Sequence, residues 1–410
     1  MNLEFFIAKR LVSTNDHKSS ISAPIIKIAI TAIALGMIMM IISIATGIGL
    51  QQKIRQKVAA FNGHVIISSY NDNQSDVSTE PISKNQSFYP KFKNIEGINH
   101  VQAVASKAGM IRTETAFEGI IFKGIGTDYK SDNLLEYIVE GRLPNLNKNL
   151  NDEVLVSQYL CSRLGLKLGD KFVTYFMKET SEGYNLRNFN IVGIYSSGFQ
   201  EFDATYILGD IRHVQRINKW KPDQVGSFEV FINDFSEIEY KGKEIYEETS
   251  STLDSKTIVE KYYYIFEWLK LFDFNILVIL IVMIAVSTIN MVVALLVLIL
   301  ERTQMIGILK SLGANNLSIR KIFIYNAAYL IGRGLLYGNI MGIGLLLIQK
   351  YFGVIKLNPE SYYVNEAPVD INIVFILGLN LGTILVCLIV LLIPSYLITK
   401  ISPSKSIRFK

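Results

Sequence analysis

The segment from Glu301 to Ala314, ERTQMIGILKSLGA, combines charged and apolar residues at the spacing of one short α-helix. Four apolar residues share one predicted face: Met305, Ile308, Leu309 and Leu312. Charged or polar side chains point elsewhere: Glu301, Arg302, Gln304 and Lys310. Gly313 stands where a helix end favours a residue with positive φ. The chemistry of such a ridge is noncovalent docking, either into a groove of a cytoplasmic partner or onto a lipid surface, and the spacing leaves both open.

Residues arranged for covalent or metal chemistry are missing from the sequence. There is no GxxxxGK(S/T) phosphate loop, no HExxH, no GxSxG and no cluster of Cys and His. The scattered histidines are more typical of surface or capped residues than of ligands: His17, His64, His100 and His213. Cys161 and Cys387 lie in different kinds of segment, so no disulfide is expected between them. We therefore predict a non-catalytic chain without metal or cofactor, driven by another subunit if it uses energy.

Four apolar stretches are long enough to cross a bilayer core, which takes about 20 residues. The chain has 410 residues, 50% of them hydrophobic and 19% charged, a mixture that indicates spans together with a large water-facing part. The first apolar run is too long for a cleavable signal, so we expect it to remain as an anchor. The predicted segments are a cytoplasmic interfacial segment (1–24), spans (25–49, 272–300, 322–348 and 371–398), an extracytoplasmic domain with helical stalks (50–271), a coupling loop (301–321), an outer loop (349–370) and a cytoplasmic tail (399–410).

The positions of Lys and Arg predict the orientation of these spans. Basic residues are frequent in the N-terminus, in the 301–321 loop and in the C-terminal tail, whereas acids outnumber them in the 349–370 loop. We therefore place both termini and the 301–321 loop in the cytoplasm and the 50–271 domain outside. Lys53, Arg55 and Lys57 oppose this assignment, but long translocated domains obey the charge rule weakly.

The hydrophilic region is predicted to be a folded α+β domain. GHVIISSY, GMIRTETAFEGIIFKGIGTD and RNFNIVGIYSSG are rich in β-branched residues and punctuated by Gly and Asn, which is typical of strands. EVLVSQYLCSRLGLKLGDKFVTYF predicts strand, helix, turn and strand. We expect residues 71–85 to form a mobile polar loop, and KTIVEKYYYIFEWLKLFDF to extend the second span outward as a helical stalk. The predicted fold class is four transmembrane α-helices plus a large α+β extracytoplasmic domain between helices 1 and 2.

Three further patterns concern the membrane. LEFFIAKRL predicts an amphipathic helix in the cytoplasmic membrane interface, with a partly disordered leader as the alternative. Glycines at four-residue spacing predict close helix packing: Gly334, Gly338 and Gly342 in span three, and Gly378 and Gly382 in span four. Arg333 is a charge well inside a span, which suggests a functional role, although snorkelling or a partner such as Asn326 would also account for it.

ERTQMIGILKSLGA strongly resembles the E-R-T-x-x-I-G-I-L-x-x-x-G-A segment of ABC permeases that include the lipoprotein-releasing, MacB and FtsX groups. The order of one span, a large outer domain and three spans also resembles that family. Several segments look closest to the lipoprotein-releasing (LolC/LolE) type, among them IVGIYSSGFQEFDATYIL, IKLNPESYYVNEAPVDI and ISPSKSIR. The resemblance implies a coupling helix that docks on a cytoplasmic ABC ATPase, with ATP and Mg in that partner. The matching docking residues are Glu301, Arg302, Met305, Ile308, Leu309, Leu312 and Gly313.

The resemblance also implies a bacterial inner-membrane dimer, homo- or heteromeric, whose cavity takes lipoprotein acyl chains. The residues that would line such a cavity in this chain are Met37, Met40, Ile44, Ile48, Phe266, Leu269, Phe272 and Phe274. Each is equally compatible with ordinary packing or lipid contact. In the family, one permease hooks a periplasmic lipoprotein carrier with an outer-domain loop. The matching loop here, Met177–Arg187, lacks the proline of that version, so the resemblance leaves carrier recruitment open.

The leading hypothesis is a permease subunit that extracts lipoproteins and passes them outward. One alternative is an FtsX-like transducer that moves no substrate and activates cell-wall hydrolases. Another is a MacB-like exporter subunit, although such exporters usually carry their ATPase in the same chain. The predicted partners are the ATPase, a second permease, lipoprotein cargo, membrane lipid and, if the loop serves, the carrier; nucleic acid is not among them. On the sequence pattern, Leu309→Asp is expected to spoil docking while the protein still inserts.

Overall fold

The computed structural model describes residues 3–13, 22–72, 75–114, 116–146, 149–178 and 183–400. The chain divides into two compact units. The membrane unit comprises Met1–Gln51, Trp268–Lys356 and Glu366–Lys410, and the extramembrane domain comprises Gln52–Glu267 and Leu357–Asn365. Part of the predicted cytoplasmic segment, residues 14–21, and the tail from residue 401 onward lie outside the described residues.

Helices and strands follow one another along the described residues. The helices are α1 (Leu3–Ser13), α2 (Ser22–Asn62), α3 (Asp132–Leu135), α4 (Gln158–Leu164), α5 (Gln200–Asp203), α6 (Ile211–Ile217), α7 (Ile238–Glu248), α8 (Ile258–Lys261), α9 (Tyr263–Glu301), α10 (Thr303–Ser311), α11 (Asn316–Phe352), α12 (Pro359–Tyr362), α13 (Ile373–Ser395) and α14 (Leu397–Lys400). The strands are β1 (Val65–Ser69), β2 (Ile82–Ser83), β3 (Ile98–Arg112), β4 (Phe117–Ile125), β5 (Ile138–Gly141), β6 (Glu153–Ser157), β7 (Lys171–Met177), β8 (Tyr184–Tyr195), β9 (Tyr206–Asp210), β10 (Gln224–Val225), β11 (Ser227–Ile232) and β12 (Leu253–Thr257).

Four helical segments of the described chain are long and apolar enough to cross a membrane: α2, α9, α11 and α13 with its continuation into α14. Helix α2 is unbroken for 41 residues and ends where Gly63 takes a positive φ of 69°. The stalk before the second span differs from the prediction, because Lys256 and Thr257 belong to β12. Helix α8 starts after Thr257, which forms a capping box with Glu260, and the backbone then turns at Tyr262 before α9 begins. The predicted helix is therefore two helices joined by a turn.

Close approach of α2 and α11 organises the core of the membrane unit. A Cβ at Gly334 would lie 2.7 Å from Ile33 Cγ2, and one at Gly338 would lie 2.7 Å from Met37 Cβ. Gly342 faces Ile41 in the same way, at 3.3 Å. The glycines thus allow the two backbones to approach, as their spacing predicts.

The packing prediction is wrong for span four. A Cβ added at Gly378 or Gly382 would meet nothing within 4 Å, so neither glycine is needed for helix contact in this structure. Span four is instead held by a polar contact, in which the side-chain amides of Asn339 and Asn380 hydrogen-bond to each other at 2.7 and 3.0 Å. This pair joins α11 to α13 by an interhelical bond of the kind that stabilises apolar spans.

The extramembrane domain is built on one mixed sheet of ten strands, which confirms the α+β class. Its order is β12-β1-β11-β3-β4-β9-β6-β8-β5, with β7 pairing both β3 and β8. The quoted strand segments lie in β1, β3, β4 and β8, and the strand-helix-turn-strand segment is β6, α4 and β7. Deep in the sheet, the Lys123 ammonium contacts the Glu229 carboxylate and the Phe61 carbonyl, and Gln102 Nε2 donates to Glu229 at 2.8 Å.

The polar stretch 71–85 is more ordered than predicted in its described part. The buried Asp72 carboxylate accepts from the Thr79 amide at 3.0 Å, from the Glu80 amide at 2.9 Å and from the Thr79 hydroxyl. Farther on, β2 pairs with β10. A single buried acid therefore organises this loop, a role that its polar composition does not reveal; residues 73 and 74 lie outside the described residues.

Replacing Gly338 by Ala is expected to lower the melting temperature of the detergent-solubilised chain. The new methyl group would meet Met37 and the Ala34 carbonyl oxygen at 2.9 Å, a clash that typically costs about 1–3 kcal/mol. Gly344→Ala is the matched control in the same helix, because a Cβ there meets nothing within 4 Å and Ala favours helix over Gly. Equal melting temperatures for the two variants would contradict close packing at Gly338.

The free energy of unfolding is also expected to fall as the pH is lowered, because of the buried side chain of His64. Its Nδ1 accepts from the Ile232 amide at 3.1 Å, and burial lowers its pKa from 6.5 to about 4. As pH falls below about 6.5 the unfolded state binds the proton first, so the stability due to neutral His64 is lost as pH approaches about 4.

The variant His64→Gln keeps an acceptor that does not titrate. We expect it to lose roughly 2 kcal/mol less than the natural chain between pH 7.5 and pH 4.5 in denaturant titrations. An identical loss in both proteins would show that folding does not lower the pKa of His64.

Candidate functional site

Helix α10, the predicted coupling helix, is fixed to the membrane unit at its start. Helix α9 ends at Glu301, and Arg302 breaks the helix with φ −97° and ψ 20°. The Thr303 hydroxyl then donates to the Leu300 carbonyl at 2.6 Å. Ile306 is fully buried in the apolar core formed with residues of α9, α11 and α14. The short helix is therefore packed onto the spans and does not hang free between them.

The end of α10 is equally fixed. The Ala314 amide donates to the Leu309 carbonyl at 3.0 Å and the Gly313 amide to the Lys310 carbonyl at 3.1 Å, which is a Schellman ending. Gly313 has φ +88°, as its position predicts. Lys310 Nζ donates to the Ile398 carbonyl at 2.7 Å and so ties the helix to α14. Asn315 caps the next helix by accepting from the Ser318 amide at 2.6 Å.

Burial divides the predicted docking face. Met305 and Leu309 are half-buried and pack against the apolar core, whereas Ile308 is 45% and Leu312 79% exposed. Glu301 is exposed and Arg302 half-buried at the junction with α9. Three exposed residues of this segment lie in one row, at i, i+4 and i+8, which we call the docking edge: Gln304, Ile308 and Leu312.

This division corrects two sequence-based expectations. Leu309 faces the core, so Leu309→Asp would disturb folding and cannot test docking alone. Ile306, which the sequence pattern left out of the face, is the residue that anchors the helix. The error arose because periodicity shows that a helix has an apolar face but not which part of that face the spans cover.

The structure separates the predicted cavity residues into two groups. Met37 and Met40 are fully buried in the core of the membrane unit, and Phe266 and Leu269 are also buried. Phe266 stacks on Phe235 at 5.8 Å within the extramembrane domain. In this arrangement these four residues are packing residues.

The other predicted cavity residues keep accessible surface. Ile44, Ile48 and Phe272 are half-buried, and Phe274 is 65% exposed. Phe274 begins a continuous exposed apolar face on α9, whose further members are Leu277, Val278, Ile281, Val282, Val286, Ile289 and Val293. Sequence reasoning missed this face, since α9 is apolar all round and only packing shows which side is uncovered. The cavity assignment itself stays a prediction.

A polar contact joins α2 and α9 near the end of the membrane unit. Gln51 Nε2 donates to Asp273 Oδ1 at 2.7 Å and to the Leu269 carbonyl at 3.3 Å. This side-chain amide therefore links α2 to α9 through two hydrogen bonds.

The predicted outer loop 349–370 contributes its middle, residues 357–365, to the extramembrane domain. We call these residues the strap. The Leu357 amide donates to the Asn365 carbonyl at 2.9 Å and closes the strap as a loop. The Tyr363 ring stacks on Phe199 with 4.5 Å between centroids, and its carbonyl accepts from Lys57 Nζ at 2.8 Å. The sequence predicts an outer loop here but does not reveal that its middle packs within the extramembrane domain.

The surface under the strap is organised by Asp203. Its carboxylate accepts from the Ser197 amide at 2.9 Å, the Ser197 hydroxyl at 2.7 Å and the Gly198 amide at 3.1 Å. Burial raises the pKa of Asp203 above its usual value, while these hydrogen bonds oppose that change. The SSGF turn that carries Phe199 is thereby fixed in place for the Tyr363 ring.

Two other features of the extramembrane domain bear on the predicted sites. In the loop Met177–Arg187, residues 179–182 lie outside the described residues; Met177, Tyr184 and Leu186 on its flanking strands are exposed. Among the described residues, no group of three or more His, Cys, Asp or Glu is placed to hold a metal ion.

Two known protein families match consecutive parts of the chain. Residues 28–239 match the MacB-like periplasmic core domain family, and residues 277–403 match the FtsX-like permease C-terminal family. The chain is 23% identical to the lipoprotein-releasing system transmembrane protein LolC of Buchnera aphidicola subsp. Schizaphis graminum over 95% of both proteins. It is 21% identical to the corresponding LolE of Haemophilus influenzae over 99% of both. The solved periplasmic region of MacB from Actinobacillus actinomycetemcomitans aligns with 47% of this chain and 87% of its own length, at 16% identity and a TM-score of 0.32.

The backbone of Tyr363 gives a test of the strap. Its φ of 59° lies in the left-handed region, which costs a residue with a Cβ about 1 kcal/mol or more and costs Gly almost nothing. Tyr363→Ala and Tyr363→Gly both remove the ring stack, but only Gly also relieves the backbone. We therefore expect Tyr363→Gly to be the more stable variant in thermal unfolding of the full chain, against the usual order. Greater stability of Tyr363→Ala would contradict this geometry.

Proposed function

Because the chain belongs to the ABC permease family with a MacB-like periplasmic core domain and an FtsX-like C-terminal region, we propose that it extracts lipoproteins from the bacterial inner membrane. The observation that carries this proposal is similarity over nearly the whole chain to LolC and LolE, both named as lipoprotein-releasing system proteins. In the proposed machine a separate cytoplasmic ATPase hydrolyses ATP with Mg, and this chain is non-catalytic. A second permease, identical or different, completes the transporter.

The docking edge is the proposed contact with the ATPase. Ile308 and Leu312 offer apolar surface, and α10 beneath them is anchored by Ile306, by the Schellman ending and by Lys310. A push or pull on such a helix moves the spans with it, because no flexible linker absorbs the displacement. The proposal requires α10 and both termini to be cytoplasmic, in agreement with the distribution of Lys and Arg.

The exposed apolar face of α9 is the proposed contact with acyl chains. It begins at Phe274 and continues through Ile281 and Ile289 without a charged residue. A second permease would supply the opposite wall of a cavity, and drawing the two coupling helices together would narrow that cavity and expel the cargo outward. The unbroken helix α2 is suited to carry this motion, since a continuous helix bends little over its length.

Mass spectrometry of proteins that co-purify with the full chain from native membranes tests this proposal. An ATPase together with acylated lipoproteins would support extraction, and peptide counts would reveal a second permease. An ATPase with cell-wall hydrolases or their activators, and without lipoproteins, would favour an FtsX-like transducer, which would use the same coupling parts.

The docking edge makes a sharper prediction. Ile308→Asp is expected to abolish co-purification of the ATPase, because a carboxylate replaces apolar surface that must be desolvated on docking. The melting temperature should remain near that of the natural chain, since Ile308 contributes little to the core. The measurements are the ATPase-to-permease ratio after purification and thermal unfolding of the permease.

Asn316→Asp is the matched control for this variant. It places the same charge on an exposed residue in the first turn of α11, where a carboxylate suits the helix dipole, and removes no apolar side chain. Retention of the ATPase by Asn316→Asp and its loss by Ile308→Asp is the expected pattern. Normal ATPase association of a folded Ile308→Asp protein would refute the docking assignment.

A further inference from the structure

Arg333 places a positive charge inside a membrane span. It is the sole charged residue in the sequence between Ile322 and Ile348. Its neighbour Gly334 packs against Ile30 and Ile33, near the start of the first span, so Arg333 lies on the α10 side of the span centre, about 10 Å into an apolar core of about 30 Å. An arginine at such depth normally faces a partner or a polar cavity.

The structure places the Arg333 side chain on the exposed side of α11. Its guanidinium carbon lies 4.7 Å from the centre of the Tyr329 ring, in a cation–π contact. Asn326, which the sequence suggested as a partner, is buried. Residues 25–49, 322–348 and 371–398 contain no Asp or Glu, and Asp273, the acid of span 272–300, accepts from Gln51 at the other end of that span. The charge is therefore balanced by an aromatic face alone within the spans.

Arg333 belongs to a row of residues four apart on one side of α11, which we call the arginine row: Lys321, Tyr325, Tyr329, Arg333 and Tyr337. All five are exposed. The row carries two cations and three phenols and no acid. Side chains on a helix lean toward its N-terminus, so Arg333 reaches toward Tyr329 and the α10 end of the span.

Residues next to the arginine row leave it open near Arg333 and cover it with an aromatic ring near Tyr325. Gly332, next to Arg333, is exposed and has nothing within 4 Å of its Cβ position, so the helix surface at this glycine is open. At the α10 end, the Phe5 ring of α1 contacts Tyr325 edge to face at 6.1 Å. The row thus runs from the membrane interface to Arg333, with an apolar wall at its entrance.

We propose that the arginine row is a binding site for an anionic phospholipid of the leaflet on the α10 side. The phosphate accepts from the Arg333 guanidinium, whose planar donors suit two phosphate oxygens. Lys321 at the interface adds a second positive charge that attracts a lipid with net negative charge. The acyl chains lie along the exposed apolar residues next to the row, among them Leu336 and Ile340.

A lipid fits the row better than a partner span would. The row is continuous with the interface, where headgroups reside, and the sole acid of the four span segments, Asp273, lies at the other end of span 272–300. The site requires neither the ATPase nor cargo, so it stands or falls independently of the proposed function.

Native mass spectrometry of the purified full chain, titrated with phosphatidylglycerol or phosphatidylcholine, tests the site. The natural chain is expected to retain at least one phosphatidylglycerol more tightly than phosphatidylcholine. Arg333→Gln should weaken that binding about tenfold, as expected for loss of one charge-assisted contact, and Arg333→Lys should weaken it less. Phosphatidylcholine binding should be the same in all three proteins.

Lys350→Gln is the matched control, since it removes an exposed cation at the opposite end of α11, about 25 Å along the helix from Arg333. It should leave the tightest phosphatidylglycerol site unchanged. Equal phosphatidylglycerol affinity in the natural chain and Arg333→Gln, or equal loss in Lys350→Gln, would overturn the proposal. So would cross-linking of Arg333→Cys to another polypeptide in native membranes at high yield, because the row would then be covered by protein.

Discussion

The close approach of α2 and α11 is the constraint on which the membrane unit depends. Glycines on α11 leave room for Ile33, Met37 and Ile41 of α2, so two long helices share one tightly packed seam. Lipid offers no hydrophobic drive for helices to associate, and packing of this kind must therefore supply much of the stabilisation. Met37 is buried in this seam and Met40 in the same apolar core, so neither belongs to an accessible surface, whereas Met39 of the same helix is 49% exposed.

Helix α10 is held in place by the same apolar core. Its anchor, Ile306, is buried in the apolar core to which α2, α9, α11, α13 and α14 contribute, and its last turn is closed by Gly313 and by the contact of Lys310 with α14. What remains outside is a narrow edge of Ile308 and Leu312. A small exposed edge on a fixed helix suits the proposed docking, because the buried residues beneath it resist displacement of the helix.

In the extramembrane domain, too, one residue fixes the local backbone while another makes the contact. Asp203 fixes the SSGF turn, and the turn presents Phe199 to Tyr363 of the strap. Tyr363 keeps a backbone conformation that few side-chain-bearing residues adopt, and the ring stack and the Lys57 hydrogen bond offset its cost. A segment between the third and fourth spans is thereby built into the domain that lies between the first and second.

The sequence by itself determined the four spans, the α+β class, the helix at Glu301–Ala314 with its glycine ending, and a resemblance that the comparisons confirm. These follow from local periodicity, from turn chemistry and from motifs that are contiguous in the chain. Only the tertiary structure decided which apolar residues are core and which are surface. Leu309 and Ile308 are adjacent and similar, yet Leu309 is half-buried against the core and Ile308 is 45% exposed. Met40 and Phe274 are both apolar, yet Met40 is fully buried and Phe274 is 65% exposed. The strap, the order around Asp72 and the exposure of Arg333 likewise depend on contacts between residues far apart in the sequence, which no local pattern encodes.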